Sequence, residues 1–300
     1  MNEKFENIEL FEKKLEILNQ FNQNNFQNLI YNVVCNYHGI NLNLFTKSLE
    51  FINSLKNYIP TNWLECVANS KKIYILGPND FLLSNENWCD ESSQDCLSLN
   101  NNTIAIQRDF AAKIYKDFIV LICEEYVGDG FLNFLRWYIS EKLLENNKFV
   151  LHSSCVLDKN NFAHLFLGHS GAGKTTITSL STPRLVLGDD MNIVTISNSR
   201  VFVEAAAIGG LFNSMIGHDK KVELKAIYWL KQSVENKIES LDKNFGLAKV
   251  LASFANLNWD TLSNENLDKL LNFSNEVTDH VSIFNCLFNK SDEIWKIIDA

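Results

Sequence analysis

Glycine is scarce in this chain, with 12 in 300 residues, so a glycine-rich loop can arise only by concentrating several at one place. Paired cysteines are lacking too. Cys35, Cys66, Cys89, Cys96, Cys123, Cys155 and Cys286 are scattered, odd in number and form no Cys-x-x-Cys, which excludes an obvious disulfide framework or structural zinc site and suits a reducing cytoplasm. Positive charge is in deficit: 27 Lys and Arg against 36 Asp and Glu give a formal net charge of -9. Nothing therefore attracts phosphate backbones or anionic lipid in general, and neither a nucleic-acid nor a membrane-surface role is expected. The longest strongly apolar run, Phe118 to Cys123, is far short of the ~20 residues that cross a bilayer as a helix. The opening Met1-Asn2-Glu3-Lys4-Phe5-Glu6 lacks the basic-then-apolar order of a secretory leader, so cytoplasmic residence is the expectation. There is no internal repeat and no glycine-serine linker.

What is present is ample core material, 46% hydrophobic and 12% aromatic residues, enough for one large or two ordinary domains. Phe5, Ile8, Phe11, Leu15, Leu18 and Phe21 recur at helical spacing and predict a docking helix over 5–21 with a charged opposite face. Asparagine-rich stretches at 19–28 and 97–102 are interrupted by apolar residues or short enough to be turns. Lys72–Leu76, Thr103–Gln107 and Phe118–Cys123 read as strands, and Phe131 to Leu143 as a helix ending at Asn146-Asn147. From 149 the chain alternates: a strand over Phe149–Leu157, a turn, a strand over Phe162–Leu167, a glycine loop, a helix and a strand over Leu185–Leu187. Further strands are expected at Lys225–Leu230 and Val281–Phe288, with helices near 245–255, 265–273 and 291–299. That alternation is the pattern of an α/β core.

Gly168-His169-Ser170-Gly171-Ala172-Gly173-Lys174-Thr175 fills every fixed position of G-x-x-x-x-G-K-[ST], between an apolar strand and a helix-compatible segment. Such a loop needs small residues because successive backbone N–H groups must turn inward to phosphate oxygens. The expected ligand-binding set is Gly168, Ser170, Gly171, Ala172, Gly173, Lys174, Thr175 and Thr176. Lys174 offers a compact cation to the terminal phosphates of a nucleoside triphosphate, and Thr175 a hydroxyl to Mg2+. Asp189-Asp190 follows the strand Leu185-Val186-Leu187-Gly188 soon after the loop, a position from which one carboxylate can hold metal while the other faces an acceptor. Glu204, at the end of Val201-Phe202-Val203, is a further metal candidate, and His152, in the strand entering the same core, a catalytic one. Each has a plainer alternative: the Asp pair as a surface turn, Glu204 as a solvated strand residue, His152 as a packed histidine.

Taken in order, His152, the loop and Leu185 to Asp190 resemble the catalytic domain of the HPr kinase/phosphorylase family, whose fold is shared with phosphoenolpyruvate carboxykinase. The resemblance covers 149–210 well and the rest loosely, through strand-helix order and the closing Phe288 and Trp295 segment. It implies an α/β fold with an α+β mixed-sheet core: a phosphate-loop domain over 148–300 and a smaller α+β domain over 1–147. It further implies ATP and Mg2+, with Asp189 as the base that takes a proton from an acceptor hydroxyl and Asp190 joining Thr175 around the metal. Glu204 matches the family's metal-associated glutamate, while Ala206 stands where the family has arginine, which separates the phosphorylase activity from what carries over. The first 145 residues look like those of HPr kinase-like proteins, some of which phosphorylate serine in small peptides. The expected acceptor is therefore a hydroxyl-bearing peptide, protein or metabolite, and a homo-oligomer is compatible with the sequence.

Two other readings stay open: a regulatory ATP-binding module without transfer, and a carboxykinase-like enzyme whose carboxylate pocket would draw on Arg108, Arg136 and Arg184. The segment holding Gly209, Gly210, Gly217, His218, Lys220 and Lys221 is a candidate mobile cover, or else an ordinary surface loop.

Overall fold

The computed structural model describes residues 8–21, 26, 28–64, 69–82, 88–89, 97–99, 103–208, 220–255, 257, 259 and 262–299. Within them the chain is mixed α/β, with two mixed sheets and seven α-helices. It divides into a unit of Met1–Lys142 with Asn258–Thr261, and a unit of Leu143–Leu257 with Leu262–Ala300.

The first unit contains α1 (Ile8–Gln20), β1 (Tyr31–Tyr37), β2 (Ile40–Thr46), α2 (Leu49–Tyr58), β3 (Lys71–Leu76), β4 (Leu97–Leu99), β5 (Ile104–Ile106), β6 (Ala111–Ile114) and β7 (Phe118–Ile122), and most of α3 (Asp129–Glu145). Its sheet runs β1-β2-β3-β7-β6-β5-β4. β2, β3 and β7 are parallel neighbours, while the other pairings are antiparallel. The β1–β2 hairpin closes through His38 and Gly39, both at positive φ, as a two-residue turn requires. β3, β5 and β7 lie where the sequence predicts strands, whereas β1 and β2 are not among the predicted ones.

The expected helix is present over Ile8–Gln20, and its buried face is wider than the expected stripe: Phe11, Leu15, Leu18 and Phe21 pack on the core, Ile8 is exposed, and Phe5 lies outside the described residues. Leu10, Lys14 and Ile17 are buried as well. Lys14 joins that face because its ammonium donates at 2.9 Å to the carbonyls of both Gln107 and Arg108 and lies 4.5 Å from the centre of the Trp88 ring. A lysine can enter a core only with its donors occupied in this way.

The second unit contains β8 (Phe149–His152), β9 (Ser154–Leu157), β10 (Ala163–Leu167), α4 (Lys174–Ser179), β11 (Val186–Gly188), β12 (Met191–Ser197), β13 (Arg200–Ala205), β14 (Val222–Gln232), β15 (Lys237–Ser240), α5 (Lys243–Leu251), α6 (Asn264–His280), β16 (Ser282–Phe288) and α7 (Ile294–Ile298). The strand path is β11-β9-β10-β14-β13-β12-β8, with β16 on β14 and β15 on β16. β10, β14 and β16 are parallel. β10 is buried throughout because both faces are covered: Ala163, Leu165 and Leu167 join Val250, Phe273 and Val277 of α5 and α6, while Phe166 joins Ile177 of α4 and Trp295 of α7. A strand covered on two sides reads as a continuous apolar run, and removing a side chain such as Leu165 costs about 2–5 kcal/mol.

One expectation fails in an informative way. Phe149–Leu157 is two strands, broken at Ser153: β8 pairs with β12 at one end of the path, and β9 pairs with β10 and β11 near the other. β8 runs into β9 through one residue and β11 into β12 through two. The path is thus folded back so that its ends meet, and the break falls on the polar triplet His152-Ser153-Ser154 between two apolar segments.

Candidate functional site

The loop after β10 owes its shape to a few local constraints. Gly171 and Gly173 adopt φ of +76° and +112°, which side-chain-bearing residues rarely adopt. A Cβ on Gly173 would also sit 3.2 Å from the Phe288 ring. The Ala172 N–H donates to the His169 carbonyl at 3.1 Å, and Gln232, at the end of β14, donates to the Gly171 carbonyl at 2.6 Å. Lys174 is buried and arches back over the loop, donating to the carbonyls of Gly168 at 2.9 Å and His169 at 3.2 Å. Burial pulls its ammonium below the ordinary lysine range, and the charge of Asp190 opposes that shift. α4 has only six residues, so local N–H groups, rather than a long macrodipole, set the potential here.

Asp189 and Asp190 form the link between β11 and β12. Asp189 is 4% exposed, whereas the Asp190 side chain is 24% exposed and its Oδ1 lies 3.1 Å from His152 Nε2. The adjacent backbone is joined as well, since the Ser153 N–H donates to the Asp190 carbonyl at 2.9 Å.

These parts enclose one cleft. His152, Ser170, Gly171, Gly173, Lys174, Thr175, Thr176, Asp189 and Asp190 line a space of about 230 Å³. Gly168 and Ala172 shape the loop from behind: Gly168 accepts from Lys174, and Ala172 packs with Phe166 and Ile177. Glu204 is not brought into the cleft lining. It stands on β13 opposite Ile193, and Ala206, just beyond that strand, donates to the Met191 carbonyl at 3.3 Å. Among the described residues no three His, Cys, Asp or Glu side chains gather as a metal-holding group. A cation here would rest on one or two protein oxygens, which is the way Mg2+ is held beside phosphates.

Arg184 is committed elsewhere, 2.5 Å from Asp299 and stacked 4.2 Å from the Trp295 ring centre. In the other unit, Arg108 meets Asp109 and Asp129, and Arg136 donates to Asn133. Of the candidate cover, 209–219 lie outside the described residues. No helix among the described residues is long and apolar enough to cross a membrane.

The sequence reading missed two contributors. Gln232 and Asn192 carry no motif, and only their contacts reveal them: Gln232 grips the loop, and Asn192, fully buried on β12, donates to the Ser153 carbonyl at 2.8 Å.

No family model and no curated protein matches this chain. Among solved structures it is similar to the HPr(Ser) kinase/phosphatase from Coxiella burnetii, with 9% sequence identity and a TM-score of 0.28, over 49% of this chain and 90% of that one.

Proposed function

We propose that this chain binds ATP with Mg2+ in the cleft after β10 and transfers the terminal phosphate to a hydroxyl, a serine of a peptide or protein or the hydroxyl of a small molecule. One observation carries the reading: a loop with two left-handed glycines and a buried lysine shares a single cleft with two consecutive carboxylates and a histidine. A phosphate chain fits the first set, and proton and metal chemistry the second.

Residue roles follow from position. The N–H groups of the loop and the Lys174 ammonium hold phosphate oxygens and offset their charge, which supplies most of the catalysis in such transfers. The oxygens of Thr175 and Asp190 are hard donors of the kind Mg2+ prefers. When bound, Mg2+ would neutralise charge developing on the phosphates. Asp189 accepts the proton of the acceptor hydroxyl as that oxygen attacks the terminal phosphorus, and the bond from phosphorus to the bridging oxygen breaks to leave ADP. His152, beside Asp190 Oδ1, keeps that carboxylate oriented. Residence in the cytoplasm, where ATP and reduced thiols coexist, belongs to the same proposal.

Titration of the purified protein with ATP and Mg2+, followed by incubation with labelled ATP and a panel of peptides, proteins and hydroxylated metabolites, tests it. Saturable binding with phosphate gained by a hydroxyl acceptor is the expected result. Binding without transfer to any acceptor would favour a regulatory module, and no binding at millimolar ATP would end the proposal.

A further inference from the structure

We infer that Asn192 is a positioning residue that holds His152 and Asp190 together in the cleft by tying both breaks in the strand path to each other. The inference rests on the phosphate-transfer reading for its kinetic consequence, but its structural content stands apart from that reading.

The need for a tie comes from backbone bookkeeping. β8 keeps its ladder with β12 as far as His152 opposite Met191, and β9 begins its ladder with β10 at Ser154 opposite Phe166. Ser153 falls between the two ladders, fully buried, where an unmatched N–H or carbonyl is costly. Its N–H is taken by the Asp190 carbonyl at 2.9 Å, and its carbonyl by Asn192 Nδ2 at 2.8 Å. The same Nδ2 lies 3.1 Å from Ser153 Oγ and 3.5 Å from the Gly188 carbonyl. One amide thus touches the break between β8 and β9 and the end of β11, just before Asp189-Asp190.

Asn192 is fully buried on β12, with the side chains of its neighbours Met191 and Ile193 directed to the opposite face of the strand; a leucine of similar size would leave the Ser153 carbonyl without this donor. The Nδ2 of the amide is accounted for by the acceptors it serves, while its Oδ1 is buried with no hydrogen-bond partner among the described residues. Gly188 is fitted to it, since a Cβ there would stand 2.6 Å from Asn192 Oδ1. The residue immediately before Ser153 is His152, and the residue whose carbonyl Ser153 holds is Asp190. Their side chains, 3.1 Å apart, are each at most one residue from the tied backbone. The phosphate-binding loop hangs instead from β10, Gln232 and Phe288, and none of these anchors runs through the tie.

The test compares Asn192→Leu, which removes the donors and keeps the volume, with Gly188→Ala, which crowds the amide without deleting it, and Ser153→Ala, which removes the hydroxyl's contacts with Asn192 and the Leu151 carbonyl but keeps both main-chain bonds of Ser153. Amide hydrogen exchange is read at Ser153 and, as a control, at Leu165 and Phe166 of β10. Asn192→Leu and Gly188→Ala should each lower protection at Ser153 by about tenfold or more, with β10 unchanged. Their kcat for phosphate transfer should fall about 10–100-fold, as losses of supporting contacts do, with Kd for ATP within about twofold. Ser153→Ala should stay near wild type in both readouts. Unchanged protection at Ser153 in the two variants would overturn the inference. So would equal loss of protection in β10, which marks general destabilisation, or an ATP affinity that falls in step with kcat. If the wild-type protein transfers no phosphate, the proposed function falls, and the exchange data alone decide the role of Asn192.

Discussion

His152 and Asp190 meet twice: Nε2 lies 3.1 Å from Oδ1, and one residue along, the Ser153 N–H bonds to the Asp190 carbonyl. A side-chain contact doubled by a main-chain bond fixes both the distance and the direction of the pair. Lys174 lines the same cleft, close enough for the Asp190 charge to act on its ammonium.

Lys174→Ala should abolish turnover and weaken ATP binding by about 10²-fold, the scale for loss of one preorganised charge contact. The same substitution frees the carbonyls of Gly168 and His169, so circular dichroism must accompany calorimetric titration. A folded variant with wild-type turnover would remove lysine from the scheme.

Asp189→Asn should keep ATP affinity within a fewfold and lower transfer by about 10²–10⁴-fold, the range for a lost general base. Parallel titration and single-turnover assays separate the two effects. Should binding and transfer decline together, Asp189 shapes the cleft and is not the base.

Gly173→Ala should destabilise the protein by about 1–3 kcal/mol, because alanine must adopt φ near +112° and meet the Phe288 ring. ATP affinity should drop with it, since the loop must reshape. Urea denaturation alongside titration measures both, and an alanine variant equal to wild type in each would show the loop to be more pliant than its geometry implies.

Acid should destabilise the second unit through His164, away from the cleft. Its ring is buried, with Nδ1 3.2 Å from Tyr228 Oη and Nε2 3.3 Å from Asp158 Oδ2. Burial pulls its pKa below 6.5, and Asp158 only partly opposes this. Between the folded value and 6.5 the unfolded chain therefore holds the extra proton, so stability falls as pH drops below 6.5 and levels off once the folded histidine is also charged. One such group contributes at most about 1.4 kcal/mol per pH unit. Asp158 adds a second loss at lower pH: desolvation raises its pKa, but N–H donation from Phe162 and Asn160 and the bond to His164 outweigh that and leave it below 3.8. Denaturation between pH 7.5 and 5 should show a flatter slope for His164→Gln than for wild type. Identical slopes would assign the acid sensitivity to other groups.

Much of the second unit was legible because its signals are local. The strand before the loop announced itself as an apolar run, since both of its faces are buried, and the following helix, though short, starts where the lysine demands it. Less of the first unit was legible. The alternation in β1 and β2 is written with asparagine as the polar partner, as in the Asn32–Asn43 and Asn36–Asn41 side-chain bonds across the hairpin, a residue depleted in strands. Lys14 widened the expected buried face of α1, because carbonyls far along the chain accept hydrogen bonds from its ammonium.

The sequence by itself determined the loop, because the glycines that set its shape and the lysine that folds back over it stand within eight consecutive residues, with Gln232 and Phe288 bracing it from outside. Tertiary structure alone decided which acidic and imidazole groups face that loop. His152 and Asp190 are brought to it by a break inside one apolar run, stitched by a buried amide, whereas Glu204 stays out on β13. The polar triplet His152-Ser153-Ser154 stands at the break, but polar residues also occur inside unbroken strands, and only the hydrogen-bond partners, which come from elsewhere in the chain, tell the two cases apart.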